Sequence, residues 1–273
     1  TSQKELLTQV VEADLADYKQ LFRQKNADMH QFEVFYHFAW SGTVGEARND
    51  MHLQTGNIAY TMDAVELAER LGCHTFIGAG SQAEYGRVDG KLTPDLPAHP
   101  ENGYGMAKLC AGQMSRKECE KLGISHVWVR VLSVYGAYDG AGTMVSTTLQ
   151  KMLRGGEAAF TPGEQLWDFL YSKDAADAMY RIGQHPVHGR TYCLGSGQAL
   201  PLREYILKMK ELTGCSAPVK FGAIPYSPNQ VMHLCADISS LTKDTGFVPQ
   251  TDFETGILET IAWMRETMTV KDQ

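Results

Sequence analysis

The feature of the sequence that most limits the fold is an alternation of short apolar strands with longer amphipathic helices. Short buried strands joined by helices favour a parallel sheet built from right-handed crossovers. The pattern therefore predicts the α/β class, with helices on both faces of a doubly wound parallel sheet. The predicted strands lie at residues 10–11, 33–39, 73–77 and 126–132, and the predicted helices at 18–24, 52–71 and 104–122.

The sequence pattern changes after Gly136: glycines and prolines become frequent, and the regular alternation of strands and helices stops. Two further helices are predicted, at 205–212 and 253–266, the second with an amphipathic pattern. We therefore expect a first domain over residues 1–150. A smaller mixed lobe over residues 151–273 is expected to follow, with some of its segments returning to the sheet.

Bulk composition narrows the classes of partner and the compartment. The formal net charge is −7, and nucleic acids or anionic membranes require a basic face, so neither partner is expected. The six cysteines form no CxxC pair, which argues against a metal site and favours reduced thiols in a cytoplasmic protein. The sequence contains no apolar run of membrane-spanning length, and its first residues do not resemble a secretion signal.

A chemically informative pair is Tyr104 and Lys108, four residues apart on a predicted helix. This spacing places the phenol and the ammonium on one helix face. A free tyrosine has a pKa of about 10, which a nearby cation lowers. Such a pair can take a proton from a hydroxyl while hydride leaves the adjoining carbon. Taken alone, this spacing arises often by chance, and a solvated helix face is then the better interpretation.

Other polar side chains follow the predicted strands at their carboxyl ends, where ligands bind in parallel sheets. Ser81 begins the segment GSQAEYG directly after a strand, and Ser133 lies in RVLSVYG after the next strand. Asp14 and Ala39 occupy the corresponding positions earlier in the chain. A serine at such a position can bond a reacting oxygen, although an ordinary loop serine is the simpler interpretation.

The ordered set of motifs resembles the extended short-chain dehydrogenase/reductase family, the NAD-dependent epimerases and dehydratases. The set begins with the acidic turn at Asp14 and HFAW at 37–40. It continues through the serine loop, YGMAK and RVLSVYG to WDFLYSKD at 167–174 and GFVP at 246–249. The resemblance covers about residues 9 to 265. It implies a Rossmann-like fold, with an NAD(P)-binding first domain and a mainly substrate-binding second lobe.

The resemblance also implies site residues and partners. NAD or NADP is the implied cofactor, no metal is implied, and a homodimer would form through the helices that start near His52 and Tyr104. Core packing is an equally supported role for Phe38, Trp40 and Leu132. The implied catalytic residues are Ser81, Tyr104 and Lys108; the cofactor-binding residues Asp14, Leu15, Phe38, Ala39, Trp40, Asn57, Tyr104, Lys108 and Leu132; and the substrate-binding residues Ser81, Gln82, Ser133 and Trp167.

The sequence departs from the family pattern at several places. No GxxGxxG turn precedes residue 10, so we expect the first βαβ unit of the family to be missing, and the cofactor to bind poorly without it. Ser133 stands where an asparagine is usual, and Trp167 where an arginine clamps a diphosphate. A further arginine is usual near Asn229. Glu84 is the carboxylate of the serine loop, which lacks the Asp-Glu pair of sugar dehydratases.

The function expected from these observations is a nucleotide-sugar 4-epimerase or a 4-keto-sugar reductase with a Ser/Tyr/Lys site for hydride transfer. Two alternatives remain open. One is a non-catalytic dinucleotide-binding or scaffold protein that keeps the fold, favoured by the altered positions. The other is a reductase of a non-nucleotide carbonyl substrate, favoured by Trp167.

Overall fold

A computed structural model describes residues 10–21, 32–140 and 142–271. No helix within these ranges is long and apolar enough to cross a membrane. The helices are α1 (Met51–Arg70), α2 (Gly103–Leu122), α3 (Met144–Leu153), α4 (Ser172–Gln184), α5 (Leu202–Thr213), α6 (Ser239–Thr245) and α7 (Phe253–Lys271). The strands are β1 (Val34–His37), β2 (Thr75–Ser81), β3 (Ser125–Val131), β4 (Ser133–Tyr135), β5 (Ala158–Ala159), β6 (Leu166–Trp167), β7 (Phe169–Tyr171), β8 (Arg190–Leu194), β9 (Leu200–Pro201), β10 (Val219–Lys220) and β11 (His233–Leu234).

The largest sheet in the described part of the chain has four parallel strands in the order β1-β2-β3-β8. Successive residues of a strand point to opposite faces, and β2 shows this clearly. Phe76 packs against α1 and α2, whereas Ile77 packs against α4 and α6 on the other face. Helices thus cover both faces, which confirms the doubly wound α/β fold expected from the sequence.

Local signals in the sequence set the ends of the two helices on the first face. The Asp50 carboxylate accepts a hydrogen bond from Leu53 N at 3.1 Å and begins α1. The Asn102 side chain accepts one from Gly105 N at 2.8 Å and begins α2. Gly123 ends α2 with a φ of 73°, as its position in the sequence predicts. These caps fix where Tyr104 and Lys108 lie relative to the sheet.

The remaining strands form smaller pairings beside the main sheet. Strand β4 pairs with β7, β6 lies between β11 and β9, and β5 pairs with β10. A second apolar core, which includes Leu149, Tyr205, Met209 and Ile257, joins α3, α5 and α7. The division at residue 150 stays a prediction. Helix α3 crosses that position, and β8 lies in the main sheet.

Two predicted elements near the start differ in the structure. The strand at Val10 and Val11 is wrong, since both residues are irregular and exposed, at 86% and 48%. Two apolar residues are too few to establish a ladder, and the Asp14 side chain instead caps a short 3-10 helix, Leu15–Asp17. Of the predicted helix 18–24, residues 18–21 form a turn and residues 22–24 lie outside the described ranges.

Candidate active site

The candidate active site lies at the carboxyl ends of β2 and β3, where α2 begins. Ser81 ends β2 and pairs in register with Val131 of β3. The first turns of α2 pack against β2 and the serine loop, which brings Tyr104 and Lys108 to the same place. Lys108 Nζ reaches the carbonyl of Ala79, two residues before Ser81 on β2. The three residues predicted as catalytic therefore lie close together at this end of the sheet.

The serine loop is held by a buried carboxylate. Glu84 Oε1 accepts hydrogen bonds from Ser81 N at 2.8 Å and from Trp128 Nε1 at 2.9 Å. Its other oxygen accepts one from Arg130 Nε at 2.7 Å. The Glu84 side chain is fully buried, and that of Arg130 is 9% exposed. The carboxylate is thus occupied by donors that fix the loop, and the Ser81 hydroxyl in turn accepts from Ala83 N at 3.2 Å.

Opposing influences act on the Tyr104 phenol. Burial raises its pKa, while the hydrogen bond to Ser81 and the positive charge of Arg48 lower it. The Arg48 guanidinium carbon lies 4.3 Å from the centre of the Tyr104 ring. The Trp40 ring meets the same phenol edge-on, with the centroids 6.1 Å apart. A cation and an indole therefore flank the Tyr104 ring, which remains partly exposed.

Lys108 lies deeper than Tyr104 and is 3% exposed. Its Nζ donates to the Ala79 carbonyl at 2.6 Å. It also lies 3.8 Å from the centre of a Trp40 ring and 5.8 Å from the centre of the Tyr104 ring. Burial lowers the pKa of Lys108 to about 7, although the charge of Glu84 acts in the opposite direction. The ammonium is held between a carbonyl and an indole face.

The loop after β1 is fastened to α1 by amide side chains. Trp40 Nε1 donates to Gln54 Oε1 at 2.9 Å, and Gln54 Nε2 donates to the Gly42 carbonyl at 2.8 Å. The Asn57 amide bonds both the N–H and the carbonyl of Ser41, each at 2.9 Å. The side chain of Asn57, which was expected to line the cofactor, thus holds this loop by hydrogen bonds.

The other residues expected to bind the cofactor are spread along the strand ends. Phe38 is 56% exposed, Ala39 is also exposed, and Leu132 is buried beside the Ser81 strand end. Asp14 and Leu15 lie in the segment that packs on the second half of α1. The described contacts of that segment run to α1 and to β1, and none of them runs to Tyr104.

A chamber of about 390 Å³ begins where β3 ends and holds two of the predicted substrate residues. Trp167 Nε1 donates to Ser133 Oγ at 2.8 Å, so these two departures from the family pattern bond each other. The described lining combines aliphatic, aromatic and uncharged polar side chains, and its charged side chain is the carboxylate of Asp139. Gln82 lies elsewhere, in a separate cleft of about 290 Å³ that Arg48 also lines.

Arg48 and Gln54 are site residues that sequence reasoning missed. Arg48 lies on a short 3-10 helix, Gly45–Asn49, and no motif distinguishes it from other surface arginines. Gln54 is a polar residue at 1% exposure on the buried face of α1. The signal available in the sequence was a polar residue on the buried face of a predicted helix. A buried amide must have hydrogen-bond partners, so such a position indicates a polar contact.

Several known proteins are similar to this chain. A UDP-glucose 4-epimerase of Corynebacterium glutamicum is 24% identical over 248 residues, covering 82% of this chain and 74% of the relative. An ADP-L-glycero-D-manno-heptose-6-epimerase of Pseudomonas aeruginosa is 26% identical over an alignment of 289 residues, covering 93% and 86%. Among solved structures, a UDP-N-acetylglucosamine 4-epimerase of Methanobrevibacter ruminantium superposes with a TM-score of 0.84. It is 20% identical, and the superposition covers 94% of this chain and 83% of that one.

A second structure shares the fold. RMD from Pseudomonas aeruginosa, solved in complex with NADPH, gives a TM-score of 0.83 at 19% identity, covering 94% of this chain and 88% of that one. The model of the NAD dependent epimerase/dehydratase family matches residues 1–195. Because this match covers more than half of the sequence and agrees with the parallel sheet described above, the chain belongs to the NAD dependent epimerase/dehydratase family.

Proposed function

We propose that the chain is an NAD(P)-dependent sugar-modifying enzyme, a nucleotide-sugar 4-epimerase or a 4-keto-sugar reductase. The observation that carries this proposal is the convergence of Ser81, Tyr104 and Lys108 at the carboxyl ends of β2 and β3. The relatives named above as epimerases of nucleotide sugars support the substrate class. The neighbour in complex with NADPH supports the cofactor class.

The residues present fit the nicotinamide end of a dinucleotide. An ammonium has three N–H donors, and Lys108 uses one of them on Ala79, which leaves donors for ribose hydroxyls. Leu132 provides an apolar wall at the end of β3. When bound, the nicotinamide supplies or accepts the hydride. Lys108, Tyr104 and Leu132 are the residues that would hold this end.

The chain's own contribution is to move one proton and to orient one oxygen. In the oxidising direction, the Tyr104 phenolate takes the proton of a substrate hydroxyl as a hydride leaves the carbon that bears this hydroxyl. In the reducing direction, the phenol returns that proton to the oxygen that forms. The Ser81 side chain acts to lower the pKa of Tyr104, and in this proposal its hydroxyl bonds the reacting oxygen.

Dehydration is disfavoured because the carboxylate of the serine loop is already occupied by hydrogen bonds. Removing water from a sugar requires a second acid or base beside the tyrosine. Glu84 is the carboxylate of that loop, and its oxygens are occupied by Ser81 N, Trp128 Nε1 and Arg130 Nε. These three donors hold the carboxylate in the wall of the loop, so it is not placed to act on a bound sugar. These contacts support an epimerase or a reductase over a dehydratase.

The proposal is tested in two assays. Chromatography follows the conversion of UDP-glucose to its 4-epimer with NAD, which involves no net change in nicotinamide absorbance, and the absorbance of NADPH follows the reduction of a nucleotide 4-keto-sugar. Tyr104→Phe should reduce turnover by at least about 100-fold, because the proton carrier is lost. Tyr180→Phe, at an exposed tyrosine of α4, is the matched control and should leave the rate unchanged. Net consumption of NADPH would exclude the epimerase, and equal rates for Tyr104→Phe and the wild-type protein would refute the catalytic role.

A reductase of a carbonyl compound without a nucleotide is a second candidate, favoured by the chamber. The chamber's described lining has no lysine or arginine to hold a diphosphate, and its aromatic residues include Tyr135, Trp167 and Phe169. Competition decides between the two candidates. If UDP does not inhibit turnover of a simple sugar ketone, the second candidate is supported. If UDP inhibits it at micromolar concentration, the first is supported.

We further propose a homodimer through α1 and α2. Met106 and Met114 of α2 are 48% and 45% exposed, and Met51 of α1 is 53% exposed. Residues 106, 110 and 114 share one helix face, so these side chains form an apolar stripe. Light scattering should give twice the chain mass for the wild-type protein and the single chain mass for Met106→Glu/Met114→Glu. Leu207→Glu, at an exposed position of α5, is the control.

A further inference from the structure

Arg48 lies against the proposed proton carrier, although no sequence motif contains it. Its guanidinium carbon lies 4.3 Å from the centre of the Tyr104 ring, within the range of a cation–π contact. Its Nη1 donates to the Thr43 carbonyl at 3.0 Å, which fixes the guanidinium in place. The same residue lines the cleft of about 290 Å³ beside Gln82. Arg48 thus stands at the edge of the site with a defined orientation.

The lysine of the site is less well placed to act on the phenol. Lys108 Nζ lies 5.8 Å from the Tyr104 ring centre and is bound to the Ala79 carbonyl at 2.6 Å. Burial lowers the pKa of Lys108 to about 7, which makes its positive charge easier to lose than that of an arginine. Arginine remains charged at any pH that enzymes experience. The permanent positive charge in contact with Tyr104 is therefore that of Arg48.

The remaining groups that face Tyr104 make this charge important. Burial and the negative charge of Glu84 both disfavour the phenolate and raise the pKa of Tyr104. Glu84 is itself paired with Arg130 at 2.7 Å. Ser81 and Arg48 act in the opposite direction, the first by a hydrogen bond and the second by its charge. Among the described residues, the Arg48 guanidinium lies nearer to the Tyr104 ring than the Lys108 ammonium, at 4.3 Å against 5.8 Å from the ring centre.

We propose that Arg48 is a positioning residue of the proton-transfer centre, and that its guanidinium holds the Tyr104 ring and stabilises the phenolate over the phenol. A cation on a ring face attracts the electron-rich phenolate more strongly than the neutral phenol. This inference rests on the proposed function, in which Tyr104 carries the proton. Its direct test measures the ionisation of Tyr104 and needs no substrate.

The first experiment is an alkaline titration followed by the ultraviolet absorbance of tyrosinate. Subtracting the curve of Tyr104→Phe from that of the intact protein isolates Tyr104. In Arg48→Gln, the isolated ionisation should move to higher pH, whereas Arg48→Lys, which keeps a charge, should remain closer to the wild-type curve. Arg116→Gln is the matched control, since this arginine lies further along α2 and pairs with Glu120. An unchanged curve for Arg48→Gln would overturn the proposal.

The second experiment measures turnover of the nucleotide 4-keto-sugar with NADPH across pH. Arg48→Gln should lower kcat on the order of tenfold near neutral pH, with little change in KM and with partial rescue by Arg48→Lys. A raised KM with unchanged kcat would overturn the proposal, because Arg48 would then bind substrate directly. If the wild-type protein turns over none of the sugars offered, the proposed function fails, and the titration still decides the role of Arg48.

Discussion

Replacing Gly105 by alanine tests whether the close approach of α2 to the serine loop sets the geometry of the site. Gly105 lies between Tyr104 and Lys108, and its backbone packs on Ala83. A methyl carbon added there would collide with the Ala83 carbonyl oxygen and lie 2.8 Å from the carbonyl carbon. Carbon atoms prefer about 3.5 Å, so the helix and the loop must separate by about 0.7 Å.

The expected energetic effect follows from two opposing contributions. Alanine in a helix is favoured over glycine by about 0.5–1 kcal/mol, whereas overpacking against rigid backbone costs about 1–3 kcal/mol. The difference is a net loss of about 0–2.5 kcal/mol; its middle value of about 1 kcal/mol corresponds to a fall in Tm of about 2–4 °C. Turnover should fall at least about tenfold, since a 1 Å misplacement can cost about 100-fold.

Gly56→Ala on α1 is the matched control, because its added methyl group meets the Tyr60 ring at an ordinary 3.7 Å. This variant should be as stable as the wild-type protein or more stable, with unchanged turnover. Differential scanning calorimetry and the nicotinamide absorbance assay measure both quantities. A Gly105→Ala protein with wild-type Tm and wild-type rate would show that the close packing of α2 on the loop does not control the site.

Further outcomes follow from buried charges. Glu84→Gln should lose about 3–5 kcal/mol of unfolding free energy in urea, because it leaves the buried Arg130 unpaired; an unchanged midpoint would contradict this. Burial lowers the pKa of Lys108 from 10.5 to about 7, so between these pH values the unfolded chain binds a proton that the folded chain does not. Between pH 7 and 10.5, the unfolding free energy of the wild-type protein should therefore rise with pH, relative to that of Lys108→Met, by up to about 1.4 kcal/mol per pH unit. Below pH 7, the difference between the two proteins should not change with pH. Asp168→Asn should lose about 2–3 kcal/mol, because its carboxylate accepts hydrogen bonds from three backbone N–H groups and a hydroxyl, whereas Asp177→Asn on the exposed face of α4 should change little.

The parallel sheet could be predicted from the sequence because its pattern is local. Alternation of short strands with helices is visible within windows of ten to twenty residues, and the caps at Asn102 and Gly123 are single-residue signals. The strand predicted at Val10 is wrong because a local pattern alone does not establish a strand. Two valines satisfy a local pattern, but a strand also requires a neighbour with which to pair.

The detailed site depends on contacts between residues far apart in the chain. The order of motifs led to Ser81, Tyr104 and Lys108, yet nothing local connects Arg48 with Tyr104. The two substitutions at Ser133 and Trp167 could each be noticed in the sequence. Their mutual hydrogen bond could not, because it requires the folded arrangement of β4 and β6.

The contacts of Lys108 limit the directions from which its ammonium can donate. One N–H donates to the Ala79 carbonyl, and a Trp40 ring, with its centre 3.8 Å from Nζ, covers another side. A ligand oxygen that bonds this nitrogen must therefore approach through the remaining opening. Under the proposed function, the ribose hydroxyls at the nicotinamide end would have to present an oxygen to that opening.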